Sequence, residues 1–215
     1  MTGSKWLTGA ALVVSVLALT TGGIALASAS HRSRSRSRAT KASVSVTDAI
    51  GAFRSAPLTD STDVATEQAL TGEFGSIATP IGEADFSAAH PAPISGRSSQ
   101  VWIAPSGNDV CTYIPDPVNG WGGGCYPVGT VEAGEAYSIM GGPNAGLGDN
   151  VIVAVVVSDG GPAPQLVAPN GTTSTLAVSS NVAAALVPAD DSLKVGAQTI
   201  DLSVILHPTK VRFVG

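Results

Sequence analysis

The residues that could do specific chemistry centre on two cysteines. Cys111 and Cys125 are the only thiols of the chain, and the segment between them is rich in glycine and proline. A lone pair in a chain of this kind favours a disulfide formed in an oxidising compartment. Within that segment Trp121 stands among glycines, which permit close approach of backbone or ligand. Two interpretations stay open: Trp121 is a stacking platform for a sugar or polymer, or its indole packs on the disulfide.

The remaining polar residues do not match catalytic or metal-site spacings. Glu132 and Glu135 stand three apart beside a glycine and fit an exposed turn better than a glycosidase carboxylate pair. Zinc needs four Cys or His ligands, whereas His90 and His207 are distant from the cysteines. The residue spacings of known hydrolase motifs do not occur in the sequence. The glycine-rich segment 141–148 is not followed by the Lys-Ser or Lys-Thr of a phosphate-binding loop. We therefore predict a non-catalytic protein without cofactor or metal.

An uncharged stretch of about 24 residues, 6–29, precedes all of these candidates. As a helix it rises about 36 Å, which exceeds the roughly 30 Å hydrocarbon core of a bilayer. It predicts a transmembrane anchor behind a short N-terminal tail, residues 1–5. The small residues of 27–29 also match a signal-peptidase site, so secretion after cleavage near Ala29 is the alternative.

A basic segment follows the apolar stretch at once, and its cations can contact anionic lipid headgroups or acidic envelope polymers. The alternative is a solvated spacer. From residue 42 onward there are five basic and sixteen acidic residues, a net charge of −11, which argues against a nucleic-acid surface on the body. The cations of the basic segment are Arg32, Arg34, Arg36, Arg38 and Lys41.

The orientation of the anchor is subject to two conflicting rules. Positive charge is greater on the C-terminal flank than at Lys5, and the positive-inside rule would then place the body in the cytoplasm. The cysteine pair favours an oxidising compartment instead. We predict a single-pass protein of the cell membrane with an extracytoplasmic body, and the alternative is a cytoplasmic-facing, membrane-tethered interaction module.

Residues 30–97 are predicted to form the basic stalk and a linker rich in proline and glycine. Residues 48–53 could form a short helical turn, and Asp60 or Ser61 could cap a helix that runs through Leu70. Residues 71–97 show no apolar period and are expected to be irregular.

Residues 98–215 have the short apolar runs and turn residues of a mainly β domain, and we expect an antiparallel β-sandwich or small barrel with one disulfide. The unbroken run 151–157 is expected to be buried on both faces. Asn170-Gly171 indicates a two-residue hairpin turn. The predicted strands are 100–104, 110–114, 130–131, 136–140, 151–157, 165–168, 173–178, 183–187, 193–195 and 199–206.

The order of features over roughly residues 52–206 resembles a group of uncharacterised exported or membrane-anchored proteins of actinobacterial type. That resemblance implies an anchored protein with a disulfide-containing β-rich domain and carries no assigned activity. The features that carry it are 101–105, 109–111, the glycine-rich segment closing on Cys125, 151–157, Asp159-Gly160, Asn170-Gly171 and Asn181.

The predicted function is a non-catalytic binding or display module at the cell envelope. Its predicted partners are the membrane and an envelope polymer or protein, with no nucleic acid. The rival from another class is an envelope hydrolase that assembles a Ser/His/Asp set or a carboxylate pair from distant positions. Such a site would place His90 or His207 beside a serine and an aspartate.

Overall fold

The structure is a computed structural model that describes residues 44–55, 61–77, 79–118, 120–142 and 145–206. Within these ranges the protein is mainly β, with a nearly closed, barrel-like sheet and one disulfide. The mainly β class, the barrel alternative and the single disulfide are therefore confirmed. The wholly antiparallel pairing expected from the sequence is wrong at one pair of strands, where Ile94 and Ser95 pair in parallel with Ala184 and Ala185.

The predicted tail and anchor, residues 1–29, lie outside the described residues. None of the helices within the described ranges is long and apolar enough to cross a membrane. The cations of the basic segment also lie outside the described residues: Arg32, Arg34, Arg36, Arg38 and Lys41.

Short helices flank and interrupt eleven described strands. Two 3₁₀ turns cover Gly51–Arg54 and Phe86–Ala88. The helices are α1 (Val46–Ala49), α2 (Ser61–Phe74), α3 (Val128–Glu132) and α4 (Ser203–Leu206). The strands are β1 (His90–Ser95), β2 (Gln100–Ser106), β3 (Asp109–Asp116), β4 (Gly120–Pro127), β5 (Tyr137–Met140), β6 (Asn150–Val156), β7 (Gln165–Val167), β8 (Thr173–Thr175), β9 (Val182–Pro188), β10 (Ser192–Val195) and β11 (Gln198–Asp201).

Seven strands form the larger sheet in the order β4-β3-β2-β1-β9-β6-β5. All neighbours are antiparallel except β1 and β9, which pair in parallel at Ile94 and Ser95. The sheet curls so that its two end strands, β4 and β5, lie side by side and are joined by hydrogen bonds between side-chain hydroxyl groups. The Ser138 hydroxyl lies 2.8 Å from the Thr112 hydroxyl and 2.6 Å from the Tyr126 hydroxyl, so one residue of β5 bridges β3 and β4.

Along each strand, successive side chains point alternately into the barrel and away from it. The side chains that point inward are apolar, so the barrel interior is an apolar core. On β6, Ile152, Ala154 and Val156 face the interior, and α1 and α3 contribute further apolar side chains. The strand residues of this interior cluster are Ala92, Ile94, Val101, Ile103, Val110, Ile114, Ile152, Ala154, Val156, Val182 and Ala184.

The outer face of β6 and β9 packs on a second sheet of four strands, ordered β11-β10-β7-β8. Val151, Val153 and Val155 on this face join a cluster that contains Leu166 and Leu193 of the second sheet. Residues 151–157 are all buried, so the prediction of a strand covered on both faces is confirmed.

β1 lies in the segment that the sequence predicted to be irregular. Its prolines, Pro91 and Pro93, pair with β2 opposite Trp102 and Gln100. A proline has no N–H to give to a ladder, so it fits a strand only where no neighbour needs that donor. β9 pairs with β1 only at Ile94 and Ser95, so the prolines remove no hydrogen bond from the pairing of β1 with β9.

Two further segments differ from the prediction. Residues 130–131, predicted as a strand, lie in α3. The predicted strand 199–206 ends after β11, where the Asp201 carboxylate accepts hydrogen bonds from the Ser203 backbone N–H at 2.9 Å and hydroxyl at 2.7 Å. These local bonds compete with the ladder and start α4.

The turn between β7 and β8 is longer than predicted. Ala168 N–H bonds the Thr172 carbonyl at 2.9 Å, which leaves three residues, 169–171, in the loop. In a two-residue Asn-Gly hairpin, residue 169 would have to donate its N–H to the Thr172 carbonyl, and Pro169 has no N–H, so Ala168 makes that bond instead. Gly171 alone takes positive φ, at 83°, as in a type I turn followed by a bulge.

The helical predictions agree better with the structure. The helix predicted from Asp60 or Ser61 through Leu70 is present as α2, which continues to Phe74. The turn predicted at 48–53 lies across α1 and the first 3₁₀ turn.

Candidate functional site

The predicted disulfide is present: Cys111 on β3 and Cys125 on β4 face each other in register and are joined. The bond closes a loop with a sequence separation of 14. A loop of that size contributes about 3 kcal/mol in the chain-entropy model. The disulfide therefore ties together two strands at one end of the barrel sheet.

Residues that precede β1 in the sequence, including those of α2, cover the outer side of the disulfide. Leu70 and Phe74 of α2 pack on Tyr113, whose ring centroid lies 5.1 Å from that of Phe74. The Tyr113 hydroxyl donates to the Ile81 carbonyl at 2.6 Å, and burial raises the pKa of that hydroxyl. Cys111 is fully buried beneath this cover.

Trp121 is half-buried on β4 and packs against the same apolar cluster as Cys125. The neighbouring Gly120 has φ of 93°, and a Cβ there would lie 3.0 Å from a carboxylate oxygen of Glu73. Trp121 is thus held against the disulfide side of the sheet with part of its ring exposed. This packing agrees with the second interpretation, in which the indole lies against the disulfide, and the stacking role of Trp121 stays a prediction.

The glycine-rich run around Trp121 is a strand, β4, which is missing from the strands predicted from the sequence. A Cβ on Gly123 would lie only 1.8 Å from the Thr112 carbonyl oxygen, and one on Gly122 2.7 Å from the Met140 methyl carbon. At Gly123 the close atom is backbone, so only glycine permits the approach, whereas the Met140 methyl group beside Gly122 can move. The run therefore serves the packing of β4 on its neighbours.

A second polar site was not predicted, and it lies where residues 44–55, which we call the strap, meet the barrel. Asp159 Oδ1 accepts hydrogen bonds from the Gly51 N–H at 2.9 Å and the Asn181 Nδ2 at 2.8 Å. Asp159 Oδ2 forms an ion pair with Arg54. Hydrogen bonds from Asn181 and then Arg54 hold the pKa of Asp159 below its usual value.

Asn181 completes this site from the barrel side. Its Oδ1 accepts from the Ala52 N–H at 2.9 Å and its Nδ2 also donates to the Val157 carbonyl at 2.9 Å. Ser180 and Asn181 have φ of 48° and 60°, the left-handed region that few non-glycine residues adopt. We call Arg54, Asp159 and Asn181 the clamp.

Arg54 also organises the strap itself. Its Nη1 donates to the Thr47 carbonyl at 2.8 Å and the Asp48 carbonyl at 3.1 Å, at the end of α1. One guanidinium therefore satisfies carbonyls that the short helix leaves free and pairs with Asp159 of the barrel. The clamp joins parts of the chain that are more than a hundred residues apart.

His90 lies beneath the strap at the start of β1 and is 6% exposed. Its ring centroid is 6.0 Å from that of Phe53, and it hydrogen-bonds the Ser55 backbone. Burial lowers the pKa of His90, and the Ser55 bond opposes that shift. The described partner of His90 is thus backbone, whereas the hydrolase alternative requires a serine hydroxyl and an aspartate. His207 lies outside the described residues.

The other candidates of the sequence analysis stay apart. Glu132 and Glu135 are exposed, at the end of α3 and just after it. Within the described part of the chain, His, Cys, Asp and Glu form no group of three that could hold a metal ion.

The clamp had a weak signal in the sequence. In the sequence, Asp159-Gly160 and Asn181 stood out only as features of the resemblance to exported proteins. Nothing in the local pattern indicates that both side chains bond the backbone of Gly51 and Ala52. That pairing depends on the fold.

Comparison with protein-family models, curated proteins and solved structures found no match. The resemblance to exported proteins of actinobacterial type stays a prediction.

Proposed function

We propose that the protein is a membrane-anchored, extracytoplasmic module that binds or displays at the cell envelope without catalysis. The observation that carries this proposal is the disulfide between Cys111 and Cys125. Such bonds persist in oxidising compartments and are rare in the cytosol. Together with the apolar stretch 6–29, the disulfide supports a body outside the membrane.

The charge distribution supports display rather than adsorption of the body. From residue 42 onward the net charge is −11, so an anionic lipid surface repels the body. The basic segment 32–41 is attracted to the same surface, by about 1 kcal/mol for each cation near the headgroups. We therefore expect the basic segment to contact the lipid headgroups and the acidic body to stay away from the membrane surface.

Trp121 is the proposed ligand contact. Trp121 is half-buried and packs on the disulfide-side cluster, which restrains the ring. The Glu73 carboxylate lies beside the preceding residue, Gly120. Rigid aromatic rings of this kind stack on apolar faces of sugars, and carboxylates accept hydrogen bonds from hydroxyl groups. The proposed ligand class is a sugar-containing envelope polymer.

Topology is tested by expressing the intact chain in a bacterial host and applying a membrane-impermeant thiol reagent. We expect labelling of whole cells only after reduction. A variant with both cysteines changed to serine supplies the unlabelled control. Labelling that needs lysed cells and no reduction would place the body in the cytoplasm and contradict the proposal.

Ligand contact is tested by co-sedimentation of the purified full chain in detergent with insoluble envelope polysaccharide. Trp121→Ala should remove binding, whereas Val118→Ala, at the exposed hairpin before β4, should not. Trp121→Phe, which keeps apolar packing, separates loss of stacking area from loss of folding. Equal sedimentation of wild type and Trp121→Ala would contradict this assignment.

A further inference from the structure

The strap is attached to the barrel in two ways. Val46, Ala49 and Ile50 are buried in the apolar cluster of the barrel interior. The clamp holds the following residues through the backbone N–H groups of Gly51 and Ala52. The strap is also the first described part of the chain after the basic segment 32–41.

His90 is the titratable group beneath this attachment. It contacts the strap through Phe53 and Ser55. β1 lies between β2 and β9, and neither of these strands carries a charged residue. The charged groups on the other elements near this contact are Asp48 and Arg54 of the strap, Asp159 of the clamp, and Asp85 before β1.

We propose that the strap is an acid-released segment, in which the cost of burying a protonated His90 beneath Phe53 outweighs its bond to the Ser55 backbone and shifts residues 44–55 from bound to free. A charged imidazole is costly in an apolar contact, and release of the strap returns it to water.

The direction of the effect follows from the two states of His90. With the strap bound, burial lowers the pKa of His90 below its ordinary value. In the proposed free state water reaches the imidazole, so its pKa rises toward that ordinary value. Between these two values the free state binds more protons, so a fall in pH favours release by up to about tenfold for each pH unit. The pKa of Asp159 is lowered, so the clamp carboxylate stays ionised over this range.

Release would lengthen the tether of the body. Residues 44–55 span about 40 Å when fully extended. This consequence rests on the proposed membrane anchor, whereas release itself does not. An acidified envelope would thus give the body greater reach from the membrane.

Amide hydrogen exchange of the full chain in detergent tests the proposal, at about pH 5 and about pH 7.5 with correction for intrinsic rates. Protection of the Gly51 and Ala52 amides should fall at the lower pH by up to about tenfold for each unit of His90 titration. Protection of the β6 amides, buried in the barrel, should not change. Equal loss in the strap and in β6 would indicate global unfolding and overturn the proposal.

The same exchange measurement on His90→Gln is the second test. Glutamine keeps a hydrogen-bond donor, and its side chain does not change protonation between these two pH values. The variant should retain strap protection at both pH values. An unchanged pH dependence in this variant would also overturn the proposal. If His90→Gln does not fold, His90→Asn replaces it, and the comparison of strap with β6 in the wild type decides alone.

Discussion

At the scale of single residues, Asn181 joins an unusual backbone conformation to a set of hydrogen bonds. Its φ is 60°, and its side chain bonds Ala52, Val157 and Asp159. Asparagine tolerates the left-handed region better than most residues, because its short polar side chain can bond locally. One residue therefore supplies both the turn before β9 and half of the clamp.

Replacement of Asn181 by alanine should lower the free energy of unfolding by about 2–4 kcal/mol. Two part-buried hydrogen bonds and one exposed hydrogen bond are lost, and alanine is less tolerant of positive φ. The change is measured by denaturant unfolding. Asn108→Ala, at an exposed turn with negative φ, is the matched control and should change stability by less than about 0.5 kcal/mol. Equal effects of the two substitutions would contradict a special role for Asn181.

At the scale of elements, β4 shows how the tertiary structure can override local propensity. Glycine weakens a strand, because it loses more backbone entropy than other residues and offers no side chain for packing. β4 nevertheless pairs with β3 along its whole length, from Gly120 to Pro127. The space taken by neighbouring strands requires glycine at Gly123, where a Cβ would clash with backbone.

Gly123→Ala should destabilise the protein by about 3 kcal/mol or more, because the clashing atom is a backbone carbonyl that cannot rotate away. Gly129→Ala is the matched control. Gly129 lies in α3 with no atom within 4 Å of its Cβ position, and alanine there should stabilise by about 0.5–1 kcal/mol. Thermal unfolding of both variants decides, and a tolerated Gly123→Ala would mean that β4 can shift away from β3.

Elements differ in how well the sequence predicted them. α2 and β6 were predicted, because their signals are local: a cap before a helical segment, and an unbroken apolar run. β1 and β4 were missed, because two prolines and a run of glycines oppose strand formation locally. Both are strands because neighbours with matching register lie beside them.

At the scale of the whole molecule, the barrel closes through side chains at its last seam. Tyr126 donates to the Tyr137 carbonyl and bonds the Ser138 hydroxyl, which also lies 2.8 Å from the Thr112 hydroxyl. Burial raises the pKa of Tyr126, although its bond with Ser138 opposes that shift. The hydroxyls take the place that a ladder of backbone bonds would have in a fully closed barrel.

Tyr126→Phe should lower the free energy of unfolding by about 1–2 kcal/mol, since it removes a part-buried hydroxyl and leaves the Tyr137 carbonyl without that donor. Tyr137→Phe removes a hydroxyl from the adjacent strand and should cost less than about 0.5 kcal/mol. Chemical denaturation compares the two. A similar loss in both would show that the Tyr126 hydroxyl is not specific to closure.

The sequence by itself determined the mainly β class, the cysteine pair, α2 and the doubly buried β6, because each depends on residue type and short-range pattern. The tertiary structure decided the barrel with its one parallel pair, the two strands of proline and glycine, and the clamp. The physical reason is separation along the chain. Asp159 and Asn181 act on Gly51 and Ala52 from more than a hundred residues away, and only the folded sheet brings them within hydrogen-bond distance.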